Sequence, residues 1–257
     1  MSNYIIFNNK DSRDIRGLLI SELPPISRAS MRVKETVIDG VDGSIIEELG
    51  YESYDKTVII GLKIGADVDK VAEFFTGNGE IVFSNEPERY YIGRVIKGID
   101  FERMLRYRVA KVTFRVQPFK YDRVEVAREA TYAGEPVGSE VIEQRMIIEN
   151  IGNHTSKPII TIKGAGKFPI YINGESVFSY DFTEKAQISS VEDYKNYKGT
   201  VVIDCEKQEA YFEDKLKNRY MAGDFPILAK GNNVVSWQNR AGGWVISLKV
   251  ERYSRWL

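Results

Sequence analysis

Apolar and polar residues alternate with period two along most of the chain, and the alternating stretches follow one another too closely for helices to fit between them. The pattern predicts a mainly β protein. Val58, Ile60, Leu62 and Ile64 share one parity, with Thr57, Gly61 and Lys63 on the other, as a strand with one buried face requires. Ala110, Val112, Phe114 and Val116 repeat the behaviour. Near the C-terminus Trp244, Ile246, Leu248 and Val250 alternate against Val245, Ser247, Lys249 and Glu251, which aims Trp244 inward with the other three. The preceding run NNVVSWQ and the connection NRAGG read as the rest of a hairpin. A single helix breaks the β pattern, because Val68, Val71, Ala72 and Phe75 recur at helical spacing between Asp67, a suitable N-cap, and Gly77, a suitable stop. The segment EDYKNYKG from Glu192 has no clean face and reads as loop.

Between Tyr121 and Met146 the alternation lapses into a charged stretch punctuated by Gly134, Pro136 and Gly138, the composition of a linker. It divides the chain into a domain at 1–135, carrying the helix, and an all-strand domain at 136–257. Pro24 to Glu52 contains apolar residues without steady alternation, together with Gly40, Gly43 and Gly50, and reads as a long loop or arm. Such segments are usually functional or ordered by a partner. Val33, Val37, Ile45 and Ile46 have no evident home in their own domain and are the candidate subunit-interface residues.

Composition narrows the chemistry. At 257 residues with 43% hydrophobic and 28% charged side chains, the chain is of ordinary globular type. Cys205 is the only cysteine and His154 the only histidine, too few for a disulfide or a zinc site. No cofactor is expected. Cys205 alternates with Val201 and Ile203 and reads as core, and His154 sits in a polar loop. The run GAGKF at 164–168 lacks the spacing and the Ser or Thr of a phosphate loop and reads as a turn between strands. The carboxylate pairs Glu47–Glu48 and Glu192–Asp193 are adjacent, so on a strand they would point to opposite faces. Net charge is −1, with 19 Lys+Arg against 20 Asp+Glu over residues 1–126 and 17 against 17 over the rest. A protein that grips phosphate backbones would show a basic excess. The N-terminus lacks the features of a secretory signal, and no apolar run is long enough to span a membrane, so expression and folding in the cytoplasm are expected. The aromatic group Trp237, Trp244, Tyr253 and Trp256 raises the alternative of a sugar-stacking platform, although such rings more often fill a sandwich core.

In segment order the chain resembles the siphophage distal tail proteins, the Dit family. The first-domain resemblance lies in VDGSIIEELGYESYDKTVIIGLKI, VAEFFTGNGEIVFSNEPERYYIGRV and VTFRVQPFKY. The second-domain resemblance lies in IENIGNHTSKPIITIKGAGKFPIYING, GTVVIDCEKQEAYF and GDFPILAKGNNVVSWQ. Asn150, Gly152, Asn153 and Pro158, the Ile172-Asn173-Gly174 turn, Ile203 to Cys205, Phe225-Pro226 and Gly231-Asn232 fall on landmark positions of turns and strands. The resemblance implies a non-enzymatic virion protein with an N-terminal β-sandwich or barrel-like ring domain and a C-terminal galectin-like β-sandwich. It implies a homo-hexameric hub at the tail tip, assembled in the host cytoplasm, that joins the tail tube protein to the tail-tip protein, often carries receptor-binding proteins, and lets DNA pass without tight binding. No inserted module interrupts the strands, so a built-in carbohydrate-binding insertion is not expected. A carbohydrate-binding accessory protein and a cell-wall hydrolase are the rival readings.

Overall fold

The computed structural model describes residues 2–40, 42–104, 107–132, 141–182, 199–239 and 243–257. The chain forms two compact units, residues 1–124 with the terminal Leu257, and residues 125–256. Both are built almost wholly from antiparallel strands, as the period-two pattern predicts.

In the first unit a curled sheet runs in the order Lys10–Asp11, Ile5–Phe7, Asn78–Phe83, Arg89–Val95, Tyr107–Asp122, Tyr54–Lys63, Leu18–Glu22. Its concave face holds Val58, Ile60, Leu62, Ala110, Val112, Phe114 and Val116, all buried. Ile64 departs from the sequence reading: the strand ends at Lys63 and Ile64 is 79% exposed. The helix Val68–Phe74 closes the core with Val71 and Phe74, while Asp67 caps it by accepting from the backbone N–H of Asp69 and Lys70. Gly77 follows with φ +105°, a conformation that few other residues adopt without strain. Phe114 lies at the centre of an aromatic cluster, meeting Phe7, Phe75 and Phe83 edge-on at 5.7–5.9 Å.

Lys56 shares the inward parity of Val58 and Ile60 and is only 2% exposed. Burial pushes its ammonium down from 10.5 to about 8, against the attraction of Glu86. Burial likewise raises the Tyr54 hydroxyl from 10.0 to about 12 and lifts that of Tyr91 further. From pH 8 to 10.5 the unfolded chain still binds a proton at Lys56 that the folded chain has lost, so stability rises with pH. From pH 10 to 12 the unfolded tyrosines ionise first, so it falls. The stability of this unit is therefore expected to be higher at pH 9.5 than at pH 7.5, by on the order of 1–2 kcal/mol. Lys56→Met should flatten the rise, which urea titrations of both chains at the two pH values would measure.

The second unit is a β-sandwich with one core. One sheet runs Arg128–Thr131, Gly243–Glu251, Ile159–Ile172, Gly199–Asp204, Glu209–Phe212, Lys215–Leu216. The other pairs Ile142–Asn150 with Gly231–Asn239, and Glu175–Asp181 with Met221–Gly223. The 14-residue strand Ile159–Ile172 belongs to both. Its first half pairs with Gly199–Asp204 and Gly243–Glu251, its second with Glu175–Asp181 and Gly231–Asn239. The GAGKF run is thus not a turn but the corner at which one strand changes sheets. Gly166 takes φ +71°, and a Cβ on Gly164 would stand 2.4 Å from the carbonyl oxygen of Trp244.

Two further expectations are corrected here. Gly231–Asn239 and Gly243–Glu251 do not form a hairpin ladder, because each pairs with other strands in a different sheet. They are joined through the buried Asn239 side chain, which donates to the carbonyl of Val245 (3.0 Å) and accepts from its N–H (2.9 Å). Trp244 is buried but faces away from Leu248 and Val250. Ser247 pairs with Lys163 and Val245 with Gly164, which leaves Ile246 as an extra residue. This bulge reverses the parity. Val245, Leu248 and Val250 enter the core, and Trp244 packs edge-on against Tyr132 at 5.1 Å. The stretch expected to be linker contains the strand Arg128–Thr131 and the start of Ile142–Asn150, while 133–140, like the EDYKNYKG loop up to Lys198 and the Glu192–Asp193 pair within it, lies outside the described residues.

Candidate oligomer-interface arm

The segment read as an irregular arm is a hairpin. Among the described residues, Met31–Val37 and Ser44–Tyr51 pair only with each other, apart from the main sheet of their unit. The sequence pattern was unsteady because the register slips between Met31 and Val33, where Gly50 at φ +94° takes up an extra residue. Gly40 and Gly43, at φ +82° and +89°, flank the connection.

The register decides which candidates meet. Glu35 pairs with Ile46 and Val37 with Ser44, so Val33, Val37 and Ile46 lie on one face, with Glu35 and Glu48. Ile45 pairs with Thr36 on the opposite face, beside Lys34 and Glu47, which form an exposed ion pair at 3.6 Å. Glu47 and Glu48 thus point apart, as adjacent strand residues must. All four candidates are exposed: Val33 49%, Val37 69%, Ile45 59% and Ile46 62%. Leu49 and Ile38 are exposed as well. A lone two-stranded hairpin is marginal in water, and apolar surface on both of its faces is characteristic of a segment that is covered by another chain.

The remaining candidates are structural. Cys205 is buried in the second core, and burial pushes its thiol up, away from the reactive thiolate. His154 is half-buried in a loop fastened by Asn150, whose amide donates to the carbonyls of His154 (2.9 Å) and Ala229 (3.2 Å) and whose oxygen accepts from the N–H of Gly152. Of the four aromatic residues considered for sugar stacking, Trp237, Trp244 and Tyr253 are buried, leaving no coplanar exposed set. Among the described residues no cluster of three or more His, Cys, Asp or Glu side chains could hold a metal ion, and no helix is long and apolar enough to cross a membrane. Cys205→Ser should lower stability by about 1–3 kcal/mol by placing a hydroxyl in an apolar core, whereas His154→Ala should leave it within about 0.5 kcal/mol. Chemical denaturation of the two variants checks both values.

Asn173 (φ +53°) and Gly174 (φ +87°) make the tight turn between Ile159–Ile172 and Glu175–Asp181. Lys56, whose parity with Val58 and Ile60 was readable, is the inward-pointing polar residue that sequence reasoning passed over.

No family model and no curated protein sequence matches the chain. Among solved structures it is similar to the crystal structure of SPP1 Dit, described as a paradigm of the hub adsorption apparatus in phages that infect Gram-positive hosts, with a TM-score of 0.65 at 16% identity over 100% of both chains. It is also similar to chains of the activated phage P2 baseplate, with calcium at a TM-score of 0.47, 8% identity and 98% of both chains, and with strontium at 0.48, 10% identity, 94% of this chain and 98% of that one. Over its whole length, the chain has the fold of a siphophage Dit protein.

Proposed function

We propose that this protein is the distal tail hub of a long-tailed, non-contractile phage or prophage. The observation that carries the reading is the likeness of fold to SPP1 Dit over 100% of both chains. The protein is non-enzymatic and forms a homo-hexameric ring at the virion tail tip. It is assembled in the host cytoplasm between the tail tube protein and the tail-tip protein, and offers the outer sandwich to receptor-binding proteins. The first unit makes the ring and the second, which begins at Glu125 rather than at 136, faces outward. The exposed arm supports subunit contact, since Val33, Val37 and Ile46 share one face and Ile45 opens the other to a further neighbour. A stable contact buries about 800 Å² on each partner, so the arm supplies a nucleus that other surface of the unit must extend. A net charge of −1 suits a ring through which DNA slides, because phosphate contacts strengthened by a basic lining would hold it.

Negative-stain electron microscopy of the purified protein, paired with its mass in solution at increasing concentration, tests this directly. Six-fold rings are expected. A chain that stays monomeric at high concentration and also fails to enter particles assembled with tail tube protein would overturn the reading.

A further inference from the structure

The arm leaves the body through Leu23-Pro24-Pro25-Ile26-Ser27, a segment between the strand Leu18–Glu22 and the arm strand Met31–Val37. Pro24 and Pro25 have no N–H, and proline stiffens its own φ and drives its predecessor to extended geometry. The two prolines bring carbonyls but no donors, and carbonyls against a protein body need partners. Three side chains of the body supply them. The Asn85 amide donates to the Pro24 carbonyl at 2.9 Å, the Lys56 ammonium to the Pro25 carbonyl at 2.9 Å, and the Tyr54 hydroxyl to the Ser27 carbonyl at 3.2 Å. On the returning side the Glu52 N–H donates to the Ser30 carbonyl at 2.9 Å, and Tyr51 meets Phe119 edge-on at 5.6 Å. Between Met31 and Tyr51 the two arm strands pair, among the described residues, with no strand but each other.

Lys56 is held in place from every side. Its ammonium lies 4.7 Å from the Tyr91 ring centre, 5.5 Å from Tyr54 and 5.9 Å from Phe83, distances at which the ring faces attract a cation. Glu86, which accepts from the Tyr91 hydroxyl at 2.5 Å and from the Lys120 ammonium, favours its charge, while Lys120 opposes it. A methionine would fill this site without desolvating a charge. The position instead carries a cation aimed at one backbone carbonyl of the arm root.

We propose that Lys56, Tyr54 and Asn85 form a clamp whose task is to fix the direction in which the arm leaves the body. The hairpin acts as a lever. A seven-residue strand is about 23 Å long at roughly 3.3 Å per residue, so a swing of about 10° at the root moves the tip by about 4 Å, more than an interface tolerates. Lys56 is a positioning residue on this view. Its bearing on assembly rests on the arm being the subunit contact, but the clamp itself does not.

The test uses full-length protein spin-labelled at Asp42→Cys near the arm tip and Asp69→Cys on the helix, both exposed positions, with Cys205 too buried to label. The labelled chain is diluted in unlabelled protein, and pulsed EPR reads the distance distribution. Lys56→Met and, as a gentler variant, Tyr54→Phe are each expected to broaden the distribution at least twofold with the thermal midpoint unchanged or raised, and to weaken ring formation at least tenfold. Broadening with undiminished rings supports the clamp and removes the arm from the ring contact. Unchanged widths in both variants would overturn the proposal whatever the rings do.

Discussion

Trp237→Ala is expected to cost the second unit about 3–5 kcal/mol, and Trp244→Ala clearly less. Trp237 is 1% exposed and lies within the core shared by the two sheets, opposite Gln144 in one neighbouring strand and Ile170 in the other. Truncating it opens a ring-sized cavity walled by strands that cannot collapse without breaking their ladders. Trp244 is also buried, but the bulge at Ile246 turns it to the far face, outside the core cluster, where it packs edge-on against the half-buried Tyr132 beside a four-residue edge strand. Chemical denaturation of the two variants side by side reads the order. Equal losses, or a larger loss for Trp244, would mean that the two faces carry the fold in another proportion.

The triple substitution Val33→Ser, Val37→Ser and Ile46→Ser is expected to leave a folded chain that no longer forms rings. These side chains contribute nothing to the core of their own unit, so its stability should hold within about 0.5 kcal/mol, as surface changes do. Losing three apolar anchors of about 1–2 kcal/mol each from one contact should weaken association by at least about a hundredfold. Ile45→Ser alone samples the opposite face and should have a smaller effect. Analytical ultracentrifugation gives the stoichiometry, and rings that persist in the triple variant would move the contact elsewhere on the unit.

How much of this was legible in the sequence depended on how local the determinant was. Ala110 to Val116 and Val58 to Leu62 followed their alternation because the register between these two strands is uninterrupted there, and the helix followed its spacing and its Asp67 cap. Ile246 and Gly50 did not, since a bulge is defined by what lies across the ladder, and a single extra residue exchanges inside for outside in everything beyond it. The corner at Gly164 to Gly166 was hidden for the same reason: a glycine pair looks alike whether the chain reverses or merely bends. The arm candidates are apolar and exposed on their own unit, but their sorting into Val33, Val37 and Ile46 against Ile45 required the register. Lys56 was open to the pattern, and only the habit of reading a lysine as solvent-facing concealed it.

The strand Ile159–Ile172 bears on the dynamics of the sandwich. Because one unbroken segment supplies a rung to both sheets, neither can melt while the other keeps its hydrogen bonds, so the unit should open as one cooperative block. Amides as far apart as Ile162 and Ile170, which sit in different sheets, are then expected to exchange with deuterium at the same limiting free energy. A sandwich built this way can bear a load on either sheet and pass it through the shared backbone to the other.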